Sequence, residues 1–338
     1  MSIVIASFDE SDQAAIDAAY AVSGAAKAVD LPDFPHAREA FEATLRHPMP
    51  GRSQHLALAT LDGTPAGYLE LRMSVLENLD NAGVELLVHP ARRRRGVGRA
   101  LHEYAVQVLR GQGRKRLIGP TVGPLPDGPD RPDNGSGFAA AMGAKPALPE
   151  VRRRLEIPTL DHPALDALLA DARGRAAGYR TVGWQGATPA EYLDDIAYLD
   201  SRLLEDAPIG DLTMEPDKVD AERVRGVDRV LAVRGRRAYH QGVLHVASGR
   251  LVAWTMIDVH RATSWHAFQQ ITIVDPAHRG RRLGLLCKIE NLRYVLAHEP
   301  QLRVIDTFNA ASNSYMIAVN EQMGFRPVDA WMEWQLDF

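Results

Sequence analysis

One segment occurs twice in this chain, without gaps and with the same order of residue classes. The first copy reads VELLVHPARRRRGVGRAL, from Val84 to Leu101, and the second ITIVDPAHRGRRLGLL, from Ile271 to Leu286. Each is a short apolar run, a Pro, a basic cluster, a glycine-bearing turn and an amphipathic stretch. Pro90 to Pro276 spans 186 residues, and so does Gly98 to Gly284. The repeat constrains the chain to two copies of one unit, and 338 residues are enough to give each a full core. The segment that both copies keep is where the chemistry is expected.

A strand that runs into such a turn and then a helix presents several backbone N–H groups with no intrahelical partner, and the helix dipole adds partial positive charge there. That is an anion site suited to a pyrophosphate. Gly96 and Gly98 let the backbone approach closely, and Arg93, Arg94 and Arg95 add charge for outer phosphates. No G-x-G-x-x-G or G-K-[ST] accompanies either loop, which excludes the dinucleotide and nucleoside-triphosphate fingerprints.

The two segments resemble motif A, Q/R-x-x-G-x-G/A, of the GCN5-related N-acetyltransferases. Arg93, Gly96 and Gly98 fit it fully; Arg279 and Gly284 fit it in part, with Arg282 at the first Gly position. A second signature of that family, a strand and a helix ending in Gly-Phe, is similar to RVIDTFNAASNSYMIAVNEQMGF, from Arg303 to Phe325, and in degraded form to the stretch ending at Gly143-Ala144. The tandem layout resembles that of mycothiol synthase-type acetyltransferases. The resemblance implies a mixed α/β sheet in two acyl-CoA N-acyltransferase domains, at 1–158 and 179–338, with a helical connector at 159–178. It implies acetyl-CoA or another acyl-CoA as cofactor, held by Arg93, Arg94, Arg95, Gly96, Val97, Gly98 and Arg99 in the first loop. In the second, Arg279, Gly280, Arg281, Arg282, Leu283 and Gly284 would do so, with Asn309 and Asn313 from the second signature.

The strand-and-helix alternation independently reads as α/β, with a hairpin at the centre of each unit: His55 to Thr60 with Ala66 to Met73 around Asp62-Gly63, and Tyr239 to Val246 with Leu251 to Val259 around Ser248-Gly249. Thr188-Pro189-Ala190-Glu191 reads as a capping box with Pro at the first helical position. Gly119 to Gly137, rich in Pro, Gly and Asp, reads as a long loop, either functional or disordered. All five Trp lie in the second half of the sequence and read as packing residues.

A formal net charge of −4 argues against a nucleic-acid binder. The single cysteine, Cys287, forms no disulfide within the chain, which fits a reducing compartment, and its apolar setting reads as core. The start, MSIVIASFDESD, lacks a signal-peptide pattern, and no run approaches the ~20 apolar residues that span a bilayer. The His residues show no metal-ligand spacing. A cytoplasmic enzyme without metal, membrane or nucleic-acid partners is the expectation.

Acetyl transfer needs the thioester held, its carbonyl polarised, the amine deprotonated and the thiolate protonated. The strand before each loop can supply a polarising N–H, near Leu87-Val88 and Ile273-Val274. An amine of pKa near ~10.4 needs a base, and Glu85, Asp306 or a terminal carboxylate at Phe338 is the candidate. The thiolate acid of the family, a Tyr four residues before the Gly of Gly-Phe, is replaced by Asn320 in the second unit and Ala139 in the first; Tyr315 is turned to another helix face. The acceptor expected is the primary amine of a small molecule. An acyl-CoA-binding module without turnover and a protein or peptide acetyltransferase are the alternatives. Which unit is catalytic is left open by the sequence.

Overall fold

The computed structural model describes residues 2–338. The chain divides into two compact units: one takes the residues up to Val151 together with Ile209–Glu215 and Asp329–Phe338, the other Arg152–Pro208 and Pro216–Val328.

The first half of the chain runs β1 (Ile3–Phe8), α1 (Gln13–Asp30), α2 (Arg38–Arg46), β2 (Arg52–Leu61), β3 (Thr64–Ser74), β4 (Asn81–Val88), α3 (Val97–Gly111), β5 (Arg116–Gly123), α4 (Asn134–Ala141) and β6 (Lys145–Glu156). The second runs α5 (His162–Gly174), β7 (Tyr179–Gln185), α6 (Leu193–Ser201), α7 (Leu203–Asp206), α8 (Ala221–Val233), β8 (Arg236–His245), β9 (Arg250–His260), β10 (His266–Val274), α9 (Leu283–His298), β11 (Val304–Ala310), α10 (Ser314–Gln322) and β12 (Arg326–Asp337). The strand order is β1-β2-β3-β4-β5-β12 in the first unit, which also takes β6 as far as Val151, and β6-β11-β10-β9-β8-β7 in the second, from Arg152 of β6. Each is mixed: β4 meets β5 and β10 meets β11 in parallel, while β1-β2-β3-β4, β5-β12 and β10-β9-β8-β7 pair antiparallel.

Strand alternation sends the residues of β3 to two faces. Leu69, Leu71 and Met73 are buried under α3, against Leu101, Ala105 and Leu109, which recur at i, i+4 and i+8 on one helix stripe. Tyr68 lies on the other face, with Ile16, Ala19 and Val22 of α1 and Leu45 of α2. The hairpin turn at Asp62-Gly63 has positive φ at both residues, 50° and 80°, as a two-residue turn joining twisted strands requires.

Three sequence expectations are corrected. The helix expected as a connector at 159–178 is packed into one unit: Leu165, Leu169 and Ala172 of α5 are buried in the core of the second, beside Leu285, Leu292 and Val295 of α9. The capping box at Thr188 does not form. The Thr188 N–H donates to Asp228 at 2.8 Å, no side chain caps the 3-10 turn that follows, and α6 begins only at Leu193. The stretch read as a loop from Gly119 to Gly137 is shorter, since β5 reaches Gly123 and α4 starts at Asn134. It is also anchored: the buried Arg131 donates to Asp33 (2.5 Å) and to Asp329 (2.9 Å). Trp331 and Trp334, late in sequence, belong to the first unit through β12. No described helix is long and apolar enough to cross a membrane.

Candidate active site

In the first unit β4 and β5 pair in parallel only from Asn81↔Arg116 to Gly83↔Ile118, yet run on to Val88 and Gly123. The strands therefore part, and the gap opens toward the duplicated loop. Gly119 stands at the fork, where a Cβ would lie 2.5 Å from the Val84 side chain and 3.0 Å from its carbonyl. The second unit repeats the device: β10 and β11 pair from His266↔Val304 to Phe268↔Asp306 and then separate.

The ladder decides which amides face the gaps. The His89 N–H donates back to Ala66 O (2.9 Å), just beyond the pair Gly67↔Val88. Antiparallel alternation then commits Leu87 to β3 and turns the Val88 amide away from it, toward the gap. The same bond, Asp275 N–H to Val252 O (2.8 Å), fixes Ile273 in the ladder and turns Val274 outward. Of the four residues expected to supply a polarising N–H, Val88 and Val274 are oriented for it.

The two loops are superposable in their bonding. Arg93 Nε donates to Val88 O at 3.2 Å and Arg279 Nε to Val274 O at 3.1 Å. His89 and Asp275 each accept from the N–H two residues on. Two left-handed residues follow in each: Arg94 and Gly96 (φ 61° and 87°), then Gly280 and Arg282 (φ 81° and 57°). Neither α3 nor α9 has a side chain capping its first turn, so Val97, Gly98 and Arg99, and likewise Leu283 and Gly284, present N–H groups unused by a cap. Gly98 lies inside α3, where a Cβ would meet the Phe138 ring at 3.3 Å; one at Gly284 would meet Val274 at 3.5 Å.

Charge separates the loops. Arg93 is spent on a two-pronged pair with Asp30 (2.9 and 2.5 Å), which corrects the expectation that it serves phosphates. The side chains of Arg94, Arg95 and Arg99 carry no ion pair or hydrogen bond among the described residues. In the second loop Arg279 pairs with Asp206 (2.8 Å) and Arg282 with Asp171 (2.7 Å), while Arg281 lies over the Tyr179 ring and donates to backbone carbonyls. The first loop keeps net positive charge for a ligand; the second has largely neutralised its own.

On the α1–α2 face of the first unit, Glu85 stands directly opposite Glu70 in the β3–β4 register. Like charges so placed repel. Burial alone would raise Glu85, but Lys27, 3.3 Å away, together with Arg72 holds its carboxyl below the usual range. Glu70 is buried and pushed up, chiefly by burial, with Glu85 adding to it. His36, stacked on Tyr20 at 4.7 Å, is held toward its neutral form by burial and by Lys27. Sequence reasoning found Glu85 and missed the rest, although Tyr68, Glu70 and Arg72 alternating with Leu69, Leu71 and Met73 put a polar face on a central strand.

The candidates of the second unit have other work. Asp306 is no base. It accepts from Arg152 (2.9 Å), from Arg154 at both oxygens (2.7 and 2.8 Å) and from His266 (2.9 Å). Burial alone would raise its pKa, but those partners drive it far below the carboxylate range. The buried Asn320 donates to Asn309 (2.8 Å), and Asn313 caps α10 by accepting from Met316 N–H (3.2 Å). Tyr315 is exposed. Cys287 is buried, and burial pushes its thiol up to about 12, so it is a core residue.

A parallel strand pair that parts in front of an uncapped helix N-terminus is the splayed-sheet arrangement of an acyltransferase, here in two copies. A family profile, the Acetyltransferase (GNAT) family, matches residues 25–122. Among solved structures, a tandem GNAT protein from the clavulanic acid biosynthesis pathway is 31% identical over 99% of this chain and 98% of its own, with a TM-score of 0.85. A GCN5-related N-acetyltransferase from Sphaerobacter thermophilus shares the fold at 14% identity, covering 99% and 95%, TM-score 0.66. So does the N-myristoyltransferase of Saccharomyces cerevisiae, at 11%, covering 99% and 80%, TM-score 0.59. Comparison with curated proteins returns no match. The chain belongs to the GCN5-related N-acetyltransferase family, as a tandem member, and is an acyl-CoA-dependent N-acetyltransferase.

Proposed function

We propose that the first unit transfers an acetyl group from acetyl-CoA to the primary amine of a small molecule, by direct attack on the thioester. The observation that carries this reading is the unequal charge of the loops. Arg94, Arg95 and Arg99 are free beside an uncapped helix, whereas Arg279 and Arg282 are paired with acids. The pyrophosphate of the coenzyme would lie at the N–H groups of Val97, Gly98 and Arg99, and the thioester in the gap, its carbonyl facing the Val88 N–H.

The amine nitrogen forms a bond to the carbonyl carbon, the C–S bond breaks, and the thiolate leaves on CoA. The ammonium proton goes to the Glu70–Glu85 pair, which titrates as a coupled unit because the two face each other. Holding both reactants in one gap can supply up to about 7–11 kcal/mol. After attack the nitrogen sheds its second proton; with no acid at Ala139 or Asn320, that proton passes through water to the thiolate. The second unit serves as an acyltransferase fold without turnover: its loop charge is neutralised and Asp306 is locked in an ion-pair cluster.

Isothermal titration of the full chain with acetyl-CoA tests this. One equivalent is expected, lost in Gly98→Glu and kept in Gly284→Glu. Two equivalents would put coenzyme on both loops and remove the charge argument, and one that disappears only in Gly284→Glu would move it to the second unit; either sinks the assignment.

A further inference from the structure

Beside the Glu70–Glu85 pair of the first unit stands Arg72, a cation that makes no direct ion pair among the described residues. Arg72 follows Glu70 by two residues on β3, on the same face, and stands opposite Gly83 of β4. Because Gly83 has no side chain, Arg72 lies across the strand, with its Nε 3.7 Å from where a Cβ would be. Gly83 is also the last β4 residue paired with β5, so Arg72 sits at the closed end of the gap. Arg72 is an exposed residue, and its guanidinium has no ion-pair or hydrogen-bond partner among the described residues.

Acids surround it at longer range. Glu70 and Glu85 lie on one side, and both feel its charge. Glu333 of β12, opposite Pro120 of β5, lies on the other side and feels both Arg72 and Glu150. Burial and then Glu150 push Glu333 up to about 7. A strand advances ~3.3 Å per residue, so Glu70 and Arg72 present opposite charges about 7 Å apart on one face. A guanidinium left unpaired among carboxylates is a planar fork that suits a ligand carboxylate in two-pronged fashion.

We infer that the acceptor of the first unit is a zwitterion of the α-amino acid class, its carboxylate on Arg72 and its ammonium on the Glu70–Glu85 pair. This rests on the reading of that unit as the transferring one and names the kind of amine it takes. A simple cationic amine would make no use of Arg72, and a carboxamide would lose the charge-assisted pair.

The test is equilibrium binding by calorimetry, run beside acetyl-CoA turnover on the full chain. The probes are the standard α-amino acids, their α-carboxamides and the corresponding decarboxylated amines. At least one amino acid is expected to bind about ten- to hundredfold more tightly than its carboxamide, the scale of a charge-assisted hydrogen-bond pair. Arg72→Met should erase that difference while acetyl-CoA affinity holds, and Arg72→Lys should restore part of it, which a merely structural loss would not do. If no amino acid outperforms its carboxamide, or if the preference survives in Arg72→Met, the inference is overturned. A carboxylate preference in binding without turnover upholds it and defeats the transferase reading. Turnover of simple amines without that preference does the reverse.

Discussion

Gly96 and Arg282 share one backbone conformation, left-handed at φ 87° and 57°, at equivalent places 186 residues apart. The partner position in each loop is also left-handed and carries the other residue type, Arg94 in the first and Gly280 in the second. The duplicated turn thus has two demanding positions, and each copy relieves a different one with glycine.

Gly96→Ala and Gly280→Ala should each destabilise the protein by about 1–2 kcal/mol, the cost of a left-handed L-residue. Neither methyl would clash, since the nearest atom is 3.6 Å away at Gly96 and nothing lies within 4 Å at Gly280. Urea denaturation with an unchanged m-value would check this; a midpoint that does not move would show that the turn relaxes.

The loop charges predict an asymmetric salt response. Replacing Arg94, Arg95 and Arg99 together by Gln should weaken acetyl-CoA about tenfold or more at low salt, since each removes a charge-assisted contact of roughly 1.5–3 kcal/mol at most. Arg279→Gln with Arg282→Gln should leave affinity unchanged. Equal losses in both sets, read by calorimetry, would contradict the assignment.

Glu85→Gln and Glu70→Gln should each lower kcat by about 10²–10⁴. Activity should rise with pH as the pair loses its proton. Lys27 holds Glu85 down, so Lys27→Met should raise that pKa and move the acidic limb of the rate profile to higher pH. A limb that stays in place would remove Lys27 from the site.

Asp306 is expected to govern acid stability of the second unit. Its folded pKa is depressed, so its stabilisation is present above the ordinary value of 3.8 and is lost as pH falls below it. Asp306→Asn would strand the buried Arg152 and should cost about 3–5 kcal/mol at neutral pH. Thermal melts from pH 2 to 7 distinguish the two, because the variant should lose the acid slope as well as the stability.

Lys288 weakens the fold where Asp306 strengthens it, although stability rises with pH through both. It is fully buried over the Phe325 ring with no partner for its Nζ, and burial pushes it down to about 7. Between that value and 10.5 the unfolded chain holds a proton that the native one lacks, so stability should rise with pH across that window. Lys288→Met should stabilise the protein at pH 7 by on the order of 3 kcal/mol and flatten the slope. A variant of equal or lower stability would mean that the amine has a partner in solution.

The phosphate loops were legible because glycine, proline and arginine announce a turn locally, and Gly324-Phe325 announces the end of α10 in the same way. Val88 and Leu87 could not be told apart without the ladder that assigns their amides. Asp306 looked like a base because its partners Arg152 and Arg154 are more than 150 residues away in sequence. Arg93 looked free for the same reason, its acid being Asp30 of α1. Glu70 and Arg72 could have been found from alternation alone, had the polar face of β3 been given weight. The Thr188 box failed because a local motif lost its hydrogen bond to a distant acid, Asp228.

Strand β12 has a bearing on how the molecule is made. Residues 329–338 complete the sheet of the first unit beside β5 and carry Glu333 into its cleft. As synthesis proceeds, the first unit waits with the edge of β5 open through some two hundred residues of translation. Strand β12 joins the first unit's sheet only after the intervening residues of the second unit have been made, so the unit that begins first is completed last.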